Sequence, residues 1–180
     1  MKSKASSRRS SNPVTCSAKA VAAPVTPLDL IYQQQILQHN RHPVGYRQAL
    51  PQTQGWHRAR VYNPLCGDEI ELAARLQAAT EADDAMLQEL AFTGESCAIC
   101  TASASLLCQQ TSGLTARHAA AMARQFHQFV HDQQPLDDEQ LQVLAIFAQL
   151  HSLPNRKTCA TLPWQALQDV LANHRALEHS

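Results

Sequence analysis

The sequence predicts an α+β domain in which a three-stranded antiparallel sheet packs against about five helices. Between residues 56 and 93, segments with strand character follow one another through short connections, which favours antiparallel pairing. From Ser96 onwards the apolar residues recur at helical spacing, and strands followed by a run of helices are typical of the α+β class. At 180 residues the chain is long enough for one domain with a substantial core, which we place at residues 28–180.

The first half of the chain holds the first predicted helix and all three predicted strands. They cover residues 28–40, 56–62, 70–76 and 86–93. In the second strand every other residue is strongly apolar, the period-two pattern of a half-buried strand. A connection with two prolines precedes the first strand, and a polar turn at 80–84 precedes the third.

Four more helices are predicted after the sheet. The first runs from Ser96 to Gln110 and is rich in small residues. Thr115, Asp137 and Thr161 are expected to cap the other three, because their side chains can accept hydrogen bonds from free N–H groups at a helix start. Their apolar faces are predicted to lie inward, namely Ala119, Met122, Ala123, Phe126 and Val130, then Leu141, Leu144, Ala145 and Ala148, and finally Trp164, Leu167 and Leu171.

The charged residues are divided unevenly along the chain. Residues 1–67 hold nine Lys/Arg and one acid, whereas residues 68–180 hold six Lys/Arg and 14 acids. We interpret this as a disordered basic tail at 1–27 joined to a mildly acidic domain, without a nucleic-acid partner. An organelle transit peptide is the less favoured alternative. No segment has the apolar length of a membrane span, so we expect a cytoplasmic protein with no membrane partner.

Six cysteines without an apparent export signal favour reduced thiols with a metal or catalytic role. Cys66 and Asp68 flank a glycine between the first two strands, and residues two apart in extended chain point to the same side. Cys97 opens the first helix after the sheet, and Cys159 lies just before the predicted Thr161 cap. Helix N-termini lower the pKa of a thiol, so we expect these cysteines to be reactive thiolates.

Three thiolates and one carboxylate satisfy the tetrahedral demand of zinc, and sulfur ligands also suit iron–sulfur clusters. The gaps of 31 residues from Cys66 to Cys97 and 62 residues from Cys97 to Cys159 are unlike the close pairs of a zinc knuckle. The spacing pattern by itself therefore does not decide whether these residues form a metal site.

Three segments resemble the cysteine motifs of the SufU/IscU/NifU family of iron–sulfur cluster assembly proteins. They are Asn-Pro-Leu-Cys-Gly-Asp at 63–68, Gly-Glu-Ser-Cys-Ala-Ile at 94–99, and Arg-Lys-Thr-Cys-Ala-Thr-Leu at 156–162 with a tryptophan two residues later. The resemblance covers about residues 28–175 and implies a SufE/IscU-like fold. The long gap before Cys159 and the arginine at 156 are similar to the SufU branch, whereas scaffold-type members carry a histidine where this chain has Thr158.

This resemblance implies that Cys66, Asp68, Cys97 and Cys159 bind zinc. It also implies that Cys66 accepts persulfide sulfur from a SufS-type cysteine desulfurase and passes it to downstream iron–sulfur assembly proteins, with Arg156 in support; such a protein is a zinc-dependent sulfurtransferase. A first alternative is a scaffold for a cluster, in which the same residues hold iron or a transient [2Fe-2S] cluster. A second is a docking module with structural zinc.

Several residues depart from the family pattern or remain outside it. Ser96 replaces a family glycine, and Thr158 stands where the SufU segment has a lysine. Cys100 is additional and creates a C-x-x-C sequence with Cys97, which we interpret as a spare thiol rather than a redox pair. We expect Cys108 to be an inert core cysteine. Cys16 receives no role, and His127 and His131, four residues apart, are interpreted as surface histidines.

Overall fold

The computed structural model describes residues 26–77 and 84–178, which contain three strands and five helices. In chain order the elements are α1 (Pro27–Arg41), β1 (Trp56–Asn63), β2 (Asp68–Gln77), β3 (Met86–Glu95), α2 (Ala98–Thr111), α3 (Ala116–Asp132), the 3₁₀ helix η1 (Glu139–Ser152) and α4 (Pro154–Glu178). The predicted fold class is confirmed. The predicted tail and the turn at 80–84 lie almost entirely outside the described residues.

The three strands form one antiparallel sheet in the order β1-β2-β3. Val61 pairs with Ile70, and Leu72 pairs with Phe92, so the large apolar residues of neighbouring strands share one face. The outer edge of β3 is covered by the connection after α1, because the backbone of Phe92 exchanges two hydrogen bonds of 2.9 Å with Gly45 and Arg47. Covering an edge in this way blocks pairing with another chain.

Helices cover one face of the sheet, and a loop covers part of the other. Ile70 and Leu72 point into the main core with the apolar faces of α2, α3 and α4. On the opposite face Ala73 and Ala91 are fully buried in a small cluster with Leu50. β2 is therefore buried more completely on its second face than its alternating pattern predicts.

The prediction for the start of the last helix was wrong. We expected a cap at Thr161, but α4 begins at Pro154, whose fixed φ and missing N–H suit the first helical position. Thr161 instead lies inside the helix, where its hydroxyl donates to the carbonyl of Lys157 at 3.3 Å. Cys159 consequently lies in the second turn of α4 rather than ahead of it. The predicted inward stripe of Trp164, Leu167 and Leu171 is confirmed.

The segment before α4 also differs in detail from the prediction. Asp138, not Asp137, caps η1, and its Oδ1 accepts the N–H of Gln140 at 2.9 Å. A 3₁₀ helix has three residues per turn, so the buried side chains recur every third position. Leu141, Leu144, Phe147 and Leu150 follow this period, and Ile146 is buried in addition to them, whereas Ala145 and Ala148 are only half-buried. Within the described ranges, no helix combines the length and apolar character needed to cross a bilayer.

Candidate metal centre

The turn between β1 and β2 carries the first two predicted site residues. Asn63 and Asp68 are the last paired residues of the hairpin, and the carbonyl of Asn63 accepts the N–H of Gly67 at 2.9 Å. Gly67 has a φ of 77°, which favours glycine. The turn leaves Cys66 exposed at its tip and returns the chain so that Asp68 is buried. Both side chains therefore lie at the same end of the sheet.

The end of β3 brings the third predicted residue to the same place. Gly94 has a φ of 140° and packs so closely on β2 that a Cβ there would lie 2.1 Å from the carbonyl oxygen of Glu69. Only glycine permits this approach. Three residues later Cys97 is the N-cap of α2, as predicted. Its backbone N–H donates to Oδ1 of Asp68 at 2.7 Å, and its thiol donates to Oδ2 at 3.2 Å.

The position of Cys159 depends on contacts between α2 and α4. Ser103 on α2 donates its hydroxyl to the carbonyl of Ala160 at 2.5 Å and accepts the indole N–H of Trp164 at 3.1 Å. All three residues are buried. These bonds fix the second turn of α4 against α2, and Cys159 faces the hairpin turn from there.

The structure brings all four predicted site residues together. The Cys159 sulfur lies 3.3 Å from the Cys66 sulfur. One donor atom from each of Cys66, Asp68 and Cys159 lies within 4.8 Å of the other two. Cys97 is not in this mutual set, although its sulfur contacts Asp68. Two thiolates bound to one tetrahedral zinc at 2.3 Å would be about 3.8 Å apart, so the donor atoms suit a zinc ion after small side-chain adjustments.

Asp68 is the electrostatic centre of this group. Burial by itself raises the pKa of the Asp68 carboxyl, but hydrogen bonds outweigh it. The backbone N–H and the thiol of Cys97 donate to this carboxylate, and the neighbouring thiols of Cys66 and Cys159 also lower its pKa. The net pKa of Asp68 is therefore below its ordinary value, and the group is an anion surrounded by donors.

The prediction that helix N-termini make these thiols acidic was wrong. Burial raises the pKa of Cys97; the N–H groups of Cys100 and Ile99 at the start of α2 lower it, but they do not overcome burial and the nearby Asp68 anion. Burial, followed by hydrogen bonding to Asp68 and Cys66, also raises the pKa of Cys159. Both thiols would need a cation beside them to persist as thiolates at neutral pH.

The remaining predicted residues lie around this centre or away from it. Arg156 is exposed on the first turn of α4, three residues before Cys159 and hence on a similar side of the helix. Cys100 is fully buried, and burial strongly raises the pKa of its thiol. Cys108 is also buried, as predicted. The rings of His127 and His131 stack at 4.3 Å beside a pocket of about 380 Å³ between α3 and α4.

Two residues at the centre were not singled out by sequence reasoning. Ser103 anchors α4, and Asn63 donates its side-chain N–H to the Cys159 sulfur at 3.7 Å. Asn63 lies in the segment at 63–68 that resembles a family motif, and this position was its only available signal, whereas Ser103 lies outside the three segments that carry the resemblance. Neither residue type indicates such a contact by itself, because the partners lie 57 and 96 residues away in the sequence.

Comparison with protein families places most of the chain in one group. The profile of the NifU-like N-terminal domain matches residues 31–160. This range contains the hairpin turn, Cys97 and Cys159, so the match covers the whole candidate centre.

Two characterised proteins and one solved structure are similar to the chain. The iron–sulfur cluster assembly scaffold protein IscU of Streptococcus pyogenes serotype M1 is 26% identical over 155 residues, which cover 86% of this chain and 91% of the relative. The zinc-dependent sulfurtransferase SufU of Bacillus subtilis (strain 168) is 29% identical over 149 residues, covering 81% and 92%. The crystal structure of a nitrogen-fixing NifU-like protein (N-terminal) from Brucella abortus superposes with a TM-score of 0.65 at 20% identity, covering 81% and 94%. That last likeness shows the fold.

Proposed function

The chain belongs to the family of NifU-like N-terminal domains, and from this membership we propose that it accepts and carries persulfide sulfur for iron–sulfur cluster assembly. In this proposal Cys66, Asp68, Cys97 and Cys159 hold a zinc ion, and a SufS-type cysteine desulfurase is the sulfur donor. The observation that carries it is the convergence of the Cys66, Asp68 and Cys159 donor atoms within 4.8 Å, with Cys97 bonded to the same carboxylate.

The exposure of the cysteines supports Cys66 as the sulfur acceptor. Cys66 is exposed at the tip of the hairpin turn, whereas Cys159 is 0% exposed. Only an exposed thiol can meet a persulfide that a second protein presents. Arg156 is exposed on the first turn of α4, three residues before Cys159. In the proposal its positive charge stabilises the negatively charged sulfur during transfer.

The proposed transfer is a thiol–disulfide type exchange. The Cys66 thiolate attacks the outer sulfur of the desulfurase persulfide. A new S–S bond forms to Cys66 while the S–S bond to the desulfurase cysteine breaks, and that cysteine leaves as a thiolate. The zinc ion, when bound, would keep the cysteine ligands deprotonated at neutral pH. The buried residues Asp68 and Cys159 hold the site in place while Cys66 moves between the donor and the next protein.

A cluster scaffold is the second candidate function. Soft thiolate ligands suit iron–sulfur clusters as well as zinc. The two relatives divide between these functions, one a scaffold protein at 26% identity and the other a sulfurtransferase at 29%. We favour sulfur transfer because the 62-residue gap before Cys159 and the arginine at 156 resemble the SufU branch; Thr158 matches neither the histidine of scaffold-type members nor the lysine of the SufU segment. Reduced thiols also fit a cytoplasmic location, which we include in the proposal.

A desulfurase assay tests the proposal. Adding the zinc-loaded protein is expected to raise the turnover of a SufS-type desulfurase, and Cys66→Ala is expected to abolish this stimulation. Cys108→Ala, which removes a buried cysteine outside the centre, is the matched control and should stimulate like the wild type. Mass spectrometry of the wild type after turnover should find one additional sulfur atom on the peptide that contains Cys66.

Each alternative predicts a different result. A scaffold would yield a coloured species after anaerobic reconstitution with iron and sulfide, and Cys66→Ala, Cys97→Ala or Cys159→Ala would each abolish it. A docking module would bind the desulfurase without changing its rate and would retain binding after Cys66→Ala. A redox pair would make Cys100→Ser as damaging as Cys97→Ser. Stimulation that survives Cys66→Ala would contradict sulfur transfer through this thiol.

A further inference from the structure

Asn63 makes hydrogen bonds in the candidate metal centre through its backbone carbonyl and through both polar atoms of its side chain. It is 1% exposed, at the end of β1. Its backbone carbonyl accepts the N–H groups of Gly67 at 2.9 Å and Cys66 at 3.4 Å. Its side-chain Oδ1 accepts the N–H of Leu65 at 3.1 Å, and its Nδ2 donates to the Cys159 sulfur at 3.7 Å. One residue thus joins the turn that carries Cys66 to the helix that carries Cys159.

The orientation of the Asn63 amide follows from its neighbours. The backbone N–H of Leu65 can only donate, so the atom facing it must be the amide oxygen. The amide nitrogen is then the atom that faces Cys159. A sulfur can accept this hydrogen bond in both the thiol and the thiolate form, and the bond is stronger to a thiolate because the acceptor is charged.

We propose that Asn63 is a positioning residue for the metal site, whose Nδ2–H group donates a hydrogen bond to the metal-bound sulfur of Cys159. This inference rests on the proposed function in one respect, that Cys159 is a metal ligand. The hydrogen bond orients the Cys159 sulfur towards Cys66 and withdraws electron density from it. Hydrogen bonds to coordinating sulfurs tune a site in this way, and partners of metal ligands set the affinity.

The alternative to this assignment is that Asn63 only shapes the hairpin turn. Two substitutions separate the two roles. Asn63→Asp keeps the oxygen that accepts from Leu65 but replaces the donor facing Cys159 with a second oxygen. Asn63→Ser keeps a shorter acceptor for the turn, adds no charge, and cannot reach Cys159 with a donor. Asn173→Asp is the matched control, since Asn173 is exposed and lies about 20 Å further along α4.

Metal affinity and a cobalt spectrum are the measurements. We expect Asn63→Asp and Asn63→Ser each to weaken zinc binding about 10–100-fold in chelator competition, with Asn173→Asp unchanged. With cobalt in place of zinc, both Asn63 variants should shift the sulfur-to-metal charge-transfer band to lower energy, because the sulfur regains electron density. Wild-type affinity and an unshifted band in both variants would overturn the proposal. A loss in Asn63→Asp alone would also overturn it, because the effect would then be one of charge.

A measurement on the unmodified chain covers the case in which a variant fails to fold. In wild-type protein loaded with ¹¹³Cd, we expect a nuclear magnetic resonance correlation between the Asn63 side-chain amide proton and the metal, transmitted through the Cys159 sulfur. If cysteine protons correlate with cadmium and the Asn63 proton does not, the inference is wrong. If the wild type shows no sulfur-to-metal band with cobalt at all, the proposed function fails first, so the two failures are distinguishable.

Discussion

The backbone N–H of Cys97 donates to Oδ1 of Asp68 at 2.7 Å, across 29 residues of sequence. This bond joins the N-terminus of α2 to the start of β2 and turns the second carboxylate oxygen towards the thiols. Asp68 thereby has two roles. It caps the start of α2, and it supplies a negatively charged oxygen that could bind a metal at the centre. A negative group at a helix N-terminus is itself favourable.

The Asp68→Asn substitution separates these two roles. The amide oxygen can still accept from the backbone of Cys97, but the charge and the second oxygen are lost. We expect a zinc affinity at least about tenfold weaker, measured by chelator competition at neutral pH. Asp169→Asn, which changes an exposed acid on α4, is the control and should bind like the wild type. Equal affinities for Asp68→Asn and the control would exclude Asp68 as a ligand.

Zinc affinity is expected to rise steeply with pH. Burial, with hydrogen bonding to Asp68, raises the pKa of both Cys97 and Cys159, so both thiols are protonated near pH 7. Zinc displaces one proton from every cysteine ligand that is protonated in the metal-free protein. If Cys97 and Cys159 both bind as thiolates, they contribute two of these protons, and the apparent affinity should increase at least about 100-fold per pH unit between about pH 6 and 8. Cys97→Ser should make this increase about tenfold smaller per pH unit. Competition titrations across this range, corrected for chelator protonation, provide the slope, and a flat profile would contradict the ligand assignment.

Ser103→Ala is expected to destabilise the protein. The hydroxyl of Ser103 is buried between the Ala160 carbonyl and the Trp164 indole, so its removal leaves the indole N–H without this acceptor. A buried polar group that loses its partner costs about 1–3 kcal/mol. Urea unfolding of the metal-free protein measures the loss. Ser112→Ala removes an exposed hydroxyl and should change stability by less than about 0.5 kcal/mol.

Gly94→Ala is expected to be more damaging than Gly55→Ala. At Gly94 a Cβ would meet the Glu69 carbonyl at 2.1 Å, whereas at Gly55 it would meet nothing within 4 Å. Both residues have positive φ, so Gly55→Ala reports backbone strain alone, about 1–2 kcal/mol. Gly94→Ala adds a backbone clash, for a total of about 2–5 kcal/mol. Thermal unfolding compares them, and equal losses would show that β3 can move away from β2.

Cys108 should make the protein less stable at alkaline pH. Burial raises the pKa of its thiol to about 12, from about 8.5 in an unfolded chain. The stability that this buried, protonated thiol contributes is fully present below the pKa that the thiol has in the unfolded chain. Above that pH the unfolded state loses the proton and the folded state keeps it, so stability falls by about 1.4 kcal/mol per pH unit until the folded pKa is passed.

The Cys108→Ala variant tests this effect. Removing the thiol leaves a cavity, which lowers stability equally at every pH, but it also removes the proton linkage. Between about pH 9.5 and 10.5 the free energy of unfolding should therefore fall less steeply in the variant than in the wild type. The two slopes should differ by about 1.4 kcal/mol per pH unit. Urea unfolding of metal-free protein under reducing conditions gives both curves. Parallel curves would contradict a buried, protonated Cys108.

Local pattern predicted the elements well where one physical rule dominated. The apolar face of α3 follows from burial on a single side and is confirmed. The alternation in β2 correctly predicted a strand, although Ala73 is buried on its second face as well. The start of α4 was missed because a proline such as Pro154 can indicate the end of one helix as well as the first turn of the next. The inward residues of η1 were partly wrong because a 3₁₀ helix shifts the period from 3.6 to three.

The sequence by itself determined the order of elements, the family resemblance and the types of donor atom available, because these depend on neighbouring residues along the chain. Only the tertiary structure decided which donors meet, that Asn63 and Ser103 hold Cys159 and α4, and that the thiols of Cys97 and Cys159 have raised pKa values. The physical reason is that burial and hydrogen bonding at this centre come from residues 29 to 96 positions apart, which local spacing does not encode.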